Sequence, residues 1–249
     1  MSLVHTQGVV LRYTNIKDSD RMLSIFSPKY GKLSVLARGC RKPRSKFLSM
    51  SQPFSYGKVV LKPYRDIYIL NQSETINAYF DLRKDIERLS LASYILKLTE
   101  DVVNPGEGNP ELFTLLLKTL SFLSFSESNP LDIILIYELK LLDILGYRPS
   151  IEKCIICDQD RQESTYFSIR GGTVCSKCSS KSTGFDIDMT TLQAMGLILK
   201  MDISRIANLK LNSRVRVELN EIMPAYINDK LDKQYPSRDY INTLFKQQA

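Results

Sequence analysis

The sequence predicts a multidomain protein of mixed α and β structure, with a small β-barrel followed by a helical bundle that carries a metal-binding insert. Three observations lead to this fold class: short strand patterns between residues 8 and 72, helical periodicity from Tyr79 onward, and four cysteines among residues 150–185. The chain has 249 residues, which is long enough for two domains. We expect one domain over residues 1–79 and a second over residues 80–249.

The N-terminal part contains five strand patterns separated by polar, Gly or Pro residues, at residues 9–13, 21–26, 32–38, 58–62 and 66–70. In the third pattern Leu33, Val35 and Ala37 alternate with residues that are polar except for Leu36, so these three are predicted to face a core. Five strands in so short a segment indicate a closed or partly open barrel, and the OB-fold is a five-stranded barrel that binds single strands through a charged groove. We therefore predict an OB-fold in residues 1–79.

Helical patterns follow from Tyr79. Asn109-Pro110-Glu111 and Asn129-Pro130 each combine a capping residue with a proline for the first turn, and Gly146 lies where a helix commonly ends. The helix predicted over residues 131–145 is apolar around most of its circumference, so we expect it at the buried centre of the bundle. Helical patterns return at residues 188–195, 203–209 and 215–231, and Pro224 is predicted to kink or break the last of them.

The positive charge is confined to the N-terminal part. Residues 1–80 hold 13 lysines and arginines against 4 acidic residues, whereas residues 81–249 hold 21 against 23. A basic segment, residues 29–46, contains no acidic residue and seven basic ones: Lys29, Lys32, Arg38, Arg41, Lys42, Arg44 and Lys46. Such a segment indicates either a phosphate-binding loop on a strand or a solvated surface loop.

The four cysteines form two C-x-x-C pairs, Cys154/Cys157 and Cys175/Cys178, with 17 residues between them. This spacing is typical of a zinc ribbon, in which four thiolates close a tetrahedral structural site and the intervening residues form a hairpin. Disulfides or a redox pair are the alternatives, and a reducing cytosol disfavours the first. Cys40 lies in the basic segment, where it is either a reactive thiol or an inert one.

The motifs of common enzymes are absent from the sequence, which has no P-loop, no dinucleotide-binding glycine motif and no H-E-x-x-H. The chain has one histidine, which removes most histidine-based catalytic schemes. Asp18/Asp20 and Asp186/Asp188 are interpreted as turn or cap residues rather than metal ligands. The sequence predicts a binding protein rather than an enzyme. With no signal peptide and no apolar run of 18 residues, we expect it in the cytoplasm.

A series of short motifs occurs in a particular order along residues 5–200. The motifs are Val9-Val10-Leu11-Arg12, Ser19-Asp20-Arg21, Tyr30-Gly31-Lys32, Ala37-Arg38-Gly39, Arg41-Lys42-Pro43, Gln52-Pro53-Phe54, Ala92-Ser93-Tyr94, Pro110-Glu111-Leu112-Phe113, Leu145-Gly146-Tyr147-Arg148-Pro149 and the two cysteine pairs. This ordered set resembles the RecO family of bacterial recombination mediators. Asp158 departs from the family pattern, in which a glycine is common after the first cysteine pair.

The resemblance implies a DNA repair and homologous recombination protein that binds single- and double-stranded DNA and anneals complementary strands. It also implies that the protein helps to load RecA onto strands coated by single-stranded DNA-binding protein (SSB), together with RecR and in some cases RecF. The tail of SSB is expected to dock on the helical domain, and the protein is expected to associate with the bacterial nucleoid during repair. Phosphate contacts fall on Arg38, Arg41, Lys42, Arg44 and Lys46, with Lys32, Arg12 and Arg21 as neighbours.

Three alternatives follow from the residues themselves. An OB-fold with a zinc ribbon is also compatible with an RNA-binding protein. Asp18 and Asp20 are compatible with a metal-dependent nuclease. The helical domain is compatible with a docking platform for other proteins, for which DNA contact is secondary.

Overall fold

The computed structural model of this chain describes residues 2–16, 18–160, 165–238 and 240–241. The chain divides into two units, Met1–Ser124 and Phe125–Ala249. None of the helices in the described ranges is long and apolar enough to cross a membrane.

A closed five-stranded barrel forms the first part of the N-terminal unit. Its strands are β1 (Val4–Asn15), β2 (Arg21–Ser27), β3 (Gly31–Ala37), β4 (Tyr56–Tyr64) and β5 (Ile67–Asn77). They pair in the order β1-β2-β3-β5-β4, and β4 closes the barrel onto β1. Only the β3–β5 pair is parallel among these pairings, with Val35 beside Tyr68. This is the predicted OB-fold, and its strands extend beyond several of the predicted ranges.

The barrel interior is filled by the alternate residues of its strands. Leu33, Val35 and Ala37 of β3 are buried, as the alternation predicted, and Leu23 and Ile25 of β2 lie beside them in the same core. Between the core residues of β3, Ser34 is exposed and Leu36 is half-buried. The buried side chains fill the interior of a small barrel, which is therefore a packed core and not a channel.

Two helices complete the N-terminal unit. A short 3₁₀ helix (Phe80–Lys84) leads to α1 (Ile86–Val102), and α2 (Pro110–Phe125) follows. The Asp85 carboxylate accepts hydrogen bonds from the first backbone N–H groups of α1. Asn109 caps α2 as predicted, because its side chain accepts a 2.9 Å hydrogen bond from the Leu112 N–H.

The loop between α1 and α2 is joined closely to the turn between β2 and β3. A Cβ on Gly31 would lie 2.1 Å from the Asn104 carbonyl oxygen, and one on Gly108 would lie 2.5 Å from the Lys29 carbonyl oxygen. The Phe113 ring of α2 packs edge-on against Phe26 of β2, with the ring centroids 5.4 Å apart. The compact N-terminal unit therefore includes α1 and α2 as well as the barrel. The domain boundary expected at residue 79 stays a prediction.

The C-terminal unit is built around α3 (Pro130–Ile144), which Asn129 caps as predicted. The other elements are β6 (Thr165–Ser168), β7 (Gly172–Cys175), β8 (Gly184–Ile187), α4 (Met189–Lys200), a 3₁₀ helix (Ile203–Asn208) and α5 (Ser213–Leu231). All residues of α3 from Leu131 to Leu142 are buried, which confirms its predicted central position. Gly146 follows with φ = 83°, a left-handed conformation that favours glycine at a helix end.

Three charged residues of α3 are buried with its apolar ones, and each has a partner. Glu138 accepts a 2.6 Å hydrogen bond from Arg238, and Asp132 accepts one of the same length from Arg216. Lys140 donates to the carbonyl groups at the end of α4, including that of Leu199. Burial of these charges is tolerated because each is neutralised or hydrogen-bonded.

The predicted break at Pro224 does not occur. The helix α5 continues through Pro224 to Leu231. A proline removes one N–H donor, but the apolar residues on both sides of it are buried against the unit's core, Met223 and Tyr226 among them. This packing holds the helix together where propensity alone predicts an interruption.

Candidate nucleic-acid interface and metal centre

The loop between β3 and β4, residues 38–55, carries most of the predicted DNA-binding residues. It leaves β3 through Gly39, whose φ of +63° allows the first tight turn. Successive turns follow, in which the N–H of Lys42 donates to Gly39, that of Ser45 to Lys42 and that of Leu48 to Ser45. The β3–β4 loop is therefore a coiled, hydrogen-bonded segment rather than an extended one.

Buried side chains anchor the β3–β4 loop to the barrel. Cys40, Phe47 and Met50 belong to the barrel core, and Cys40 is 0% exposed. Phe54, also buried, has φ = 72° and donates its N–H to the Val10 carbonyl of β1. A bulky residue in this conformation is strained and is kept there by its surroundings. Burial of the Cys40 sulfur agrees with the inert interpretation of this thiol.

The turn between β1 and β2 fixes the start of the β3–β4 loop. The Asp20 carboxylate accepts a 2.7 Å hydrogen bond from the Gly39 N–H, and the Ser19 carbonyl accepts one of 3.1 Å from the Arg41 N–H. Asp20 therefore has the turn-stabilising role that the sequence analysis preferred over metal binding. In the C-terminal unit, Asp188 likewise caps α4 by accepting from the Thr190 N–H.

The β3–β4 loop presents its cations to solvent. Its five predicted phosphate-contacting residues, Arg38, Arg41, Lys42, Arg44 and Lys46, are all exposed. Within the described ranges, no carboxylate forms a salt bridge with Arg38, Lys42 or Arg44. Elsewhere in this unit exposed lysines do have acidic partners, as in Lys58–Glu74 and Lys84–Asp81. Arg38, Lys42 and Arg44 therefore give the loop a positively charged surface.

Arg21 lies beside the β3–β4 loop but differs from its cations. It pairs with Ala37 across β2 and β3, which places it next to Arg38. Its guanidinium carbon is 3.7 Å from the centre of the Tyr13 ring. Nε donates to Asn15 Oδ1 at 3.3 Å and Nη1 donates to the Ser51 carbonyl at 3.0 Å. The side chain is therefore held in one orientation.

Arg12 and Lys32 are directed toward α1 instead. Arg12 Nε donates to both Glu100 carboxylate oxygens, at 3.0 and 3.1 Å, and Lys32 Nζ donates to the Glu100 carbonyl at 2.9 Å. Lys32 lies near the start of β3, roughly 20 Å along the strand from Arg38. Arg21 thus contacts the β3–β4 loop at Ser51, whereas Arg12 and Lys32 contact α1 at Glu100. Their contact with DNA stays a prediction.

Glu100 and Tyr13 are two residues of this region that the sequence analysis missed. Glu100 lies 88 residues from Arg12 in a helix, so no local pattern connects the two. Tyr13 was assigned only to a strand, and its contact with Arg21 depends on the pairing of β1 with β2.

The four cysteines of the C-terminal unit come together, and their sulfurs all lie within 4.8 Å of one another. Among the described residues this is the only such cluster of potential metal ligands. Cys154 and Cys157 lie on a turn in which the Asp158 N–H donates to the Cys154 carbonyl. Cys175 and Cys178 lie on a turn closed by the Cys178 N–H and the Cys175 carbonyl. Two such turns with facing sulfurs can hold a metal ion.

The geometry of the cluster fits a tetrahedral metal site. Zn–S bonds of about 2.3 Å place neighbouring sulfurs about 3.8 Å apart. The Cys157 and Cys175 sulfurs are separated by 3.8 Å, whereas a disulfide requires about 2.05 Å. Cys154, Cys175 and Cys178 are buried and Cys157 is exposed. The donor set therefore matches a metal ion with a preference for thiolates.

The electrostatics of the cluster lead to the same conclusion. Burial raises the pKa of the Cys154 thiol, but N–H groups of Cys175, Cys157 and Ile156 directed at its sulfur lower that pKa to about 6. The hydrogen bond between Cys178 and Cys175, together with burial, raises the pKa of Cys178 to about 12. Sulfurs this close cannot all ionise on their own, because each thiolate repels the next. A bound cation removes this repulsion and allows all four to deprotonate.

The strands around the cluster form the predicted hairpin. β6 and β7 pair antiparallel through a turn that contains Gly171. β8 adds a third strand on the other side of β6, which the sequence analysis did not predict. Asp158 adopts φ = 55°, a left-handed conformation, which gives a physical reason for a glycine at this position in the family pattern.

Comparison with known proteins gives matches along nearly the whole chain. Residues 1–79 match the family model described as "Recombination protein O N terminal", and residues 83–239 match "Recombination protein O C terminal". A "DNA repair protein RecO" of Alkaliphilus metalliredigens is 36% identical over 233 residues, covering 93% of this chain and 95% of the relative. The protein of the same name from Acetivibrio thermocellus is 32% identical over 246 residues, covering 98% of each chain. That of Thermoanaerobacter sp. is 32% identical over 248 residues, covering 98% of this chain and 99% of the relative.

Proposed function

This chain belongs to the RecO family of DNA repair proteins, and we propose that it is a recombination mediator that binds single- and double-stranded DNA and anneals complementary strands. In this proposal it also helps to load RecA onto SSB-coated single strands together with RecR, and in some settings with RecF. The observation that carries the DNA-binding part is the β3–β4 loop, with five exposed cations on a backbone held by core anchors and by Asp20.

The β3–β4 loop suits contact with the phosphate backbone rather than recognition of sequence. Exposed arginines and lysines that neutralise phosphates release counterions, which supplies affinity for any DNA strand. A loop anchored by Cys40, Phe47 and Met50 presents these charges without a large ordering cost on binding. Arg21 contacts the same loop through its hydrogen bond to the Ser51 carbonyl.

The proposed annealing mechanism needs no covalent step by the protein. Two DNA strands repel each other through their phosphates, and bound cations lower that repulsion. A protein that holds one strand by its phosphates leaves the bases available to pair with a complement. We propose that the chain is not an enzyme, and that Asp20 holds the loop rather than binding a catalytic metal.

We propose that the cysteine cluster holds a structural zinc ion through Cys154, Cys157, Cys175 and Cys178. With four thiolate ligands the ion has no open position for water or substrate, so its contribution is to stability. It would hold the two cysteine turns and the three-stranded sheet together. Zinc is favoured over other metals by the all-thiolate donor set and the tetrahedral spacing.

The partners are proposed at the level of the family. We propose that DNA contacts the N-terminal unit and that the SSB tail docks on the helical part of the chain. RecR is proposed as the partner in loading, with RecA affected indirectly through clearance of SSB. The alternative with the same architecture is an RNA-binding protein.

The decisive experiment is annealing of complementary oligonucleotides coated with SSB, with and without this protein. We expect annealing to be faster in its presence, and RecA loading to require RecR as well. No acceleration on SSB-coated strands would contradict the mediator proposal. Competition between DNA and RNA strands of the same sequence separates the alternative, since preference for RNA would favour the RNA-binding protein.

A further inference from the structure

Within described residues 18–55, which include the β3–β4 loop and the end of the β1–β2 turn, no aromatic side chain is exposed. Phe47 and Phe54 are buried, and the exposed large apolar residue in that range is Leu48. Proteins that bind single strands usually stack bases on aromatic rings beside a charged groove. A strand whose phosphates contact this loop therefore requires some other flat surface for its bases.

The Tyr13–Arg21 pair supplies such a surface. The Arg21 guanidinium carbon lies over the Tyr13 ring, 3.7 Å from its centre, which is van der Waals contact. The guanidinium covers the ring on that side, so the ring itself is not available to a base there. Arg21 is partly exposed, and it lies beside Arg38 at the start of the loop.

The hydrogen bonds of Arg21 fix the plane of its guanidinium. Nε donates to Asn15 Oδ1 and Nη1 donates to the Ser51 carbonyl, and hydrogen bonds of a guanidinium lie close to its own plane. The guanidinium is thus held on one side by the Tyr13 ring and at two of its nitrogen atoms, Nε and Nη1, by hydrogen bonds. Guanidinium planes stack on nucleobases as they do on aromatic rings.

From this geometry we propose that Arg21, supported by Tyr13, is a stacking platform for an unpaired nucleobase of the strand that the β3–β4 loop holds by its phosphates. The inference rests on the proposed DNA-binding function and goes beyond it, because it gives Arg21 contact with a base instead of a phosphate. It also predicts preference for single strands at this point, since the bases of a duplex are already stacked on each other.

Arg83 provides an internal comparison. It also lies near aromatic rings and donates to backbone carbonyls, those of Ala78 and Pro53. However, its guanidinium carbon is 5.4 Å from the ring centres of both Phe54 and Phe80, which is too far for stacked contact. An Arg→Lys substitution at each position keeps the charge and removes the plane. Only the substitution at Arg21 is expected to affect base stacking.

The test compares two single-stranded oligonucleotides of equal length, one of thymidines and one whose central nucleotides are abasic. Both carry the same phosphates. Wild-type protein is expected to bind the thymidine strand about 5- to 100-fold more tightly, the range that one stacked base contributes. Arg21→Lys is expected to lose most of this preference and to keep its affinity for the abasic strand within about twofold, since one base stack is lost and no phosphate contact. Arg83→Lys is expected to keep the preference.

Wild-type protein that binds both strands equally overturns the proposal without any variant. Arg21→Lys that retains the preference, or that loses affinity for both strands alike, also overturns it. If Arg21→Lys does not fold, Tyr13→Leu decides, because it removes the supporting ring and leaves Arg21 in place; an unchanged preference in this variant contradicts the platform. Wild-type protein that binds neither strand contradicts the proposed function itself.

Discussion

The backbone N–H of Gly39 donates a 2.7 Å hydrogen bond to the carboxylate of Asp20. Beside it, the Arg41 N–H donates to the Ser19 carbonyl. These two bonds join the β1–β2 turn to the start of the β3–β4 loop. An acidic side chain, whose charge alone would oppose DNA binding, therefore helps to position the cations that we propose bind it.

We expect Asp20→Ala to weaken binding of single-stranded DNA, although it removes a negative charge. A hydrogen bond to a charged group contributes about 1.5–3 kcal/mol, and its loss leaves the loop to be ordered during binding. If this energy is lost from binding in full, the affinity decreases about 10- to 150-fold, as measured by fluorescence anisotropy. Asp18→Ala is the matched control, since it removes the same charge from the same turn and should leave affinity unchanged or slightly increased. Equal effects of the two variants would contradict a positioning role for Asp20.

Reversal of three loop cations, Arg41, Lys42 and Arg44, to glutamate is expected to weaken DNA binding and to flatten its salt dependence. Each lost phosphate contact reduces the slope of log affinity against log salt by about 0.7–0.9, so the triple variant should lose about 2–3. The control reverses three exposed lysines of the helices in the same unit, Lys84, Lys97 and Lys118. The control changes the net charge by the same amount. A similar loss of slope in the control would therefore show that the loop cations contribute no more to DNA binding than other exposed lysines do.

A fragment of residues 1–124 is expected to fold cooperatively, whereas a fragment of residues 1–79 is not. The shorter fragment exposes Phe26, which Phe113 covers, and leaves Arg12 without the Glu100 carboxylate. Circular dichroism during thermal unfolding of both fragments provides the measurement. A sharp transition in the 1–79 fragment would show that the barrel does not depend on α1 and α2. It would also support the domain boundary predicted from the sequence.

Breaking the Glu138–Arg238 pair is expected to be costly, because both side chains are almost fully buried, at 0% and 1% exposure. Removal of one partner leaves an uncompensated buried charge, so Glu138→Leu or Arg238→Leu should each lower stability by about 3–5 kcal/mol. The double variant should lose less than either single variant, and urea unfolding measures all three. The exposed pair Lys84–Asp81 is the comparison, and its removal should cost less than about 1 kcal/mol. Additive losses in the Glu138/Arg238 double variant would contradict direct coupling.

Purified protein is expected to contain one zinc ion per chain, as measured by elemental analysis. Removal of the ion with a chelator should increase hydrogen exchange in the cysteine turns and in β6–β8, because the thiolates then repel one another. Cys154→Ser should have the same effect in protein that has not been treated. Slow exchange in these strands after complete metal removal would contradict a structural role for the ion.

Local patterns predicted the parts of the molecule that depend on neighbours in sequence. Alternation in β3 identified Leu33, Val35 and Ala37 as core residues, and the two C-x-x-C pairs identified the metal centre. The β3 residues lie within one strand, and each cysteine pair lies within one tight turn, with 17 residues between the two pairs. Spacing along the sequence was therefore enough to predict a cysteine cluster that can hold a metal ion.

Contacts between distant residues were not predictable in this way. Arg238 and Glu138 are 100 residues apart, and Arg12 and Glu100 are 88 apart. The partners of the buried charges of α3, Arg216 and Arg238 among them, come from distant parts of the chain. Pro224 does not interrupt α5, because helix propensity is local, whereas the buried residues around the proline stabilise the helix through tertiary packing.

The buried thiol of Cys40 can be used to follow motion of the β3–β4 loop. Because this sulfur is 0% exposed in the resting barrel, a thiol reagent reaches it only when the loop lifts away from the core. The rate at which the reagent labels Cys40 therefore measures how often the loop opens. DNA bound across the loop would lower the labelling rate of Cys40. The size of the decrease would measure how strongly the bound strand stabilises the closed position of the loop on the barrel.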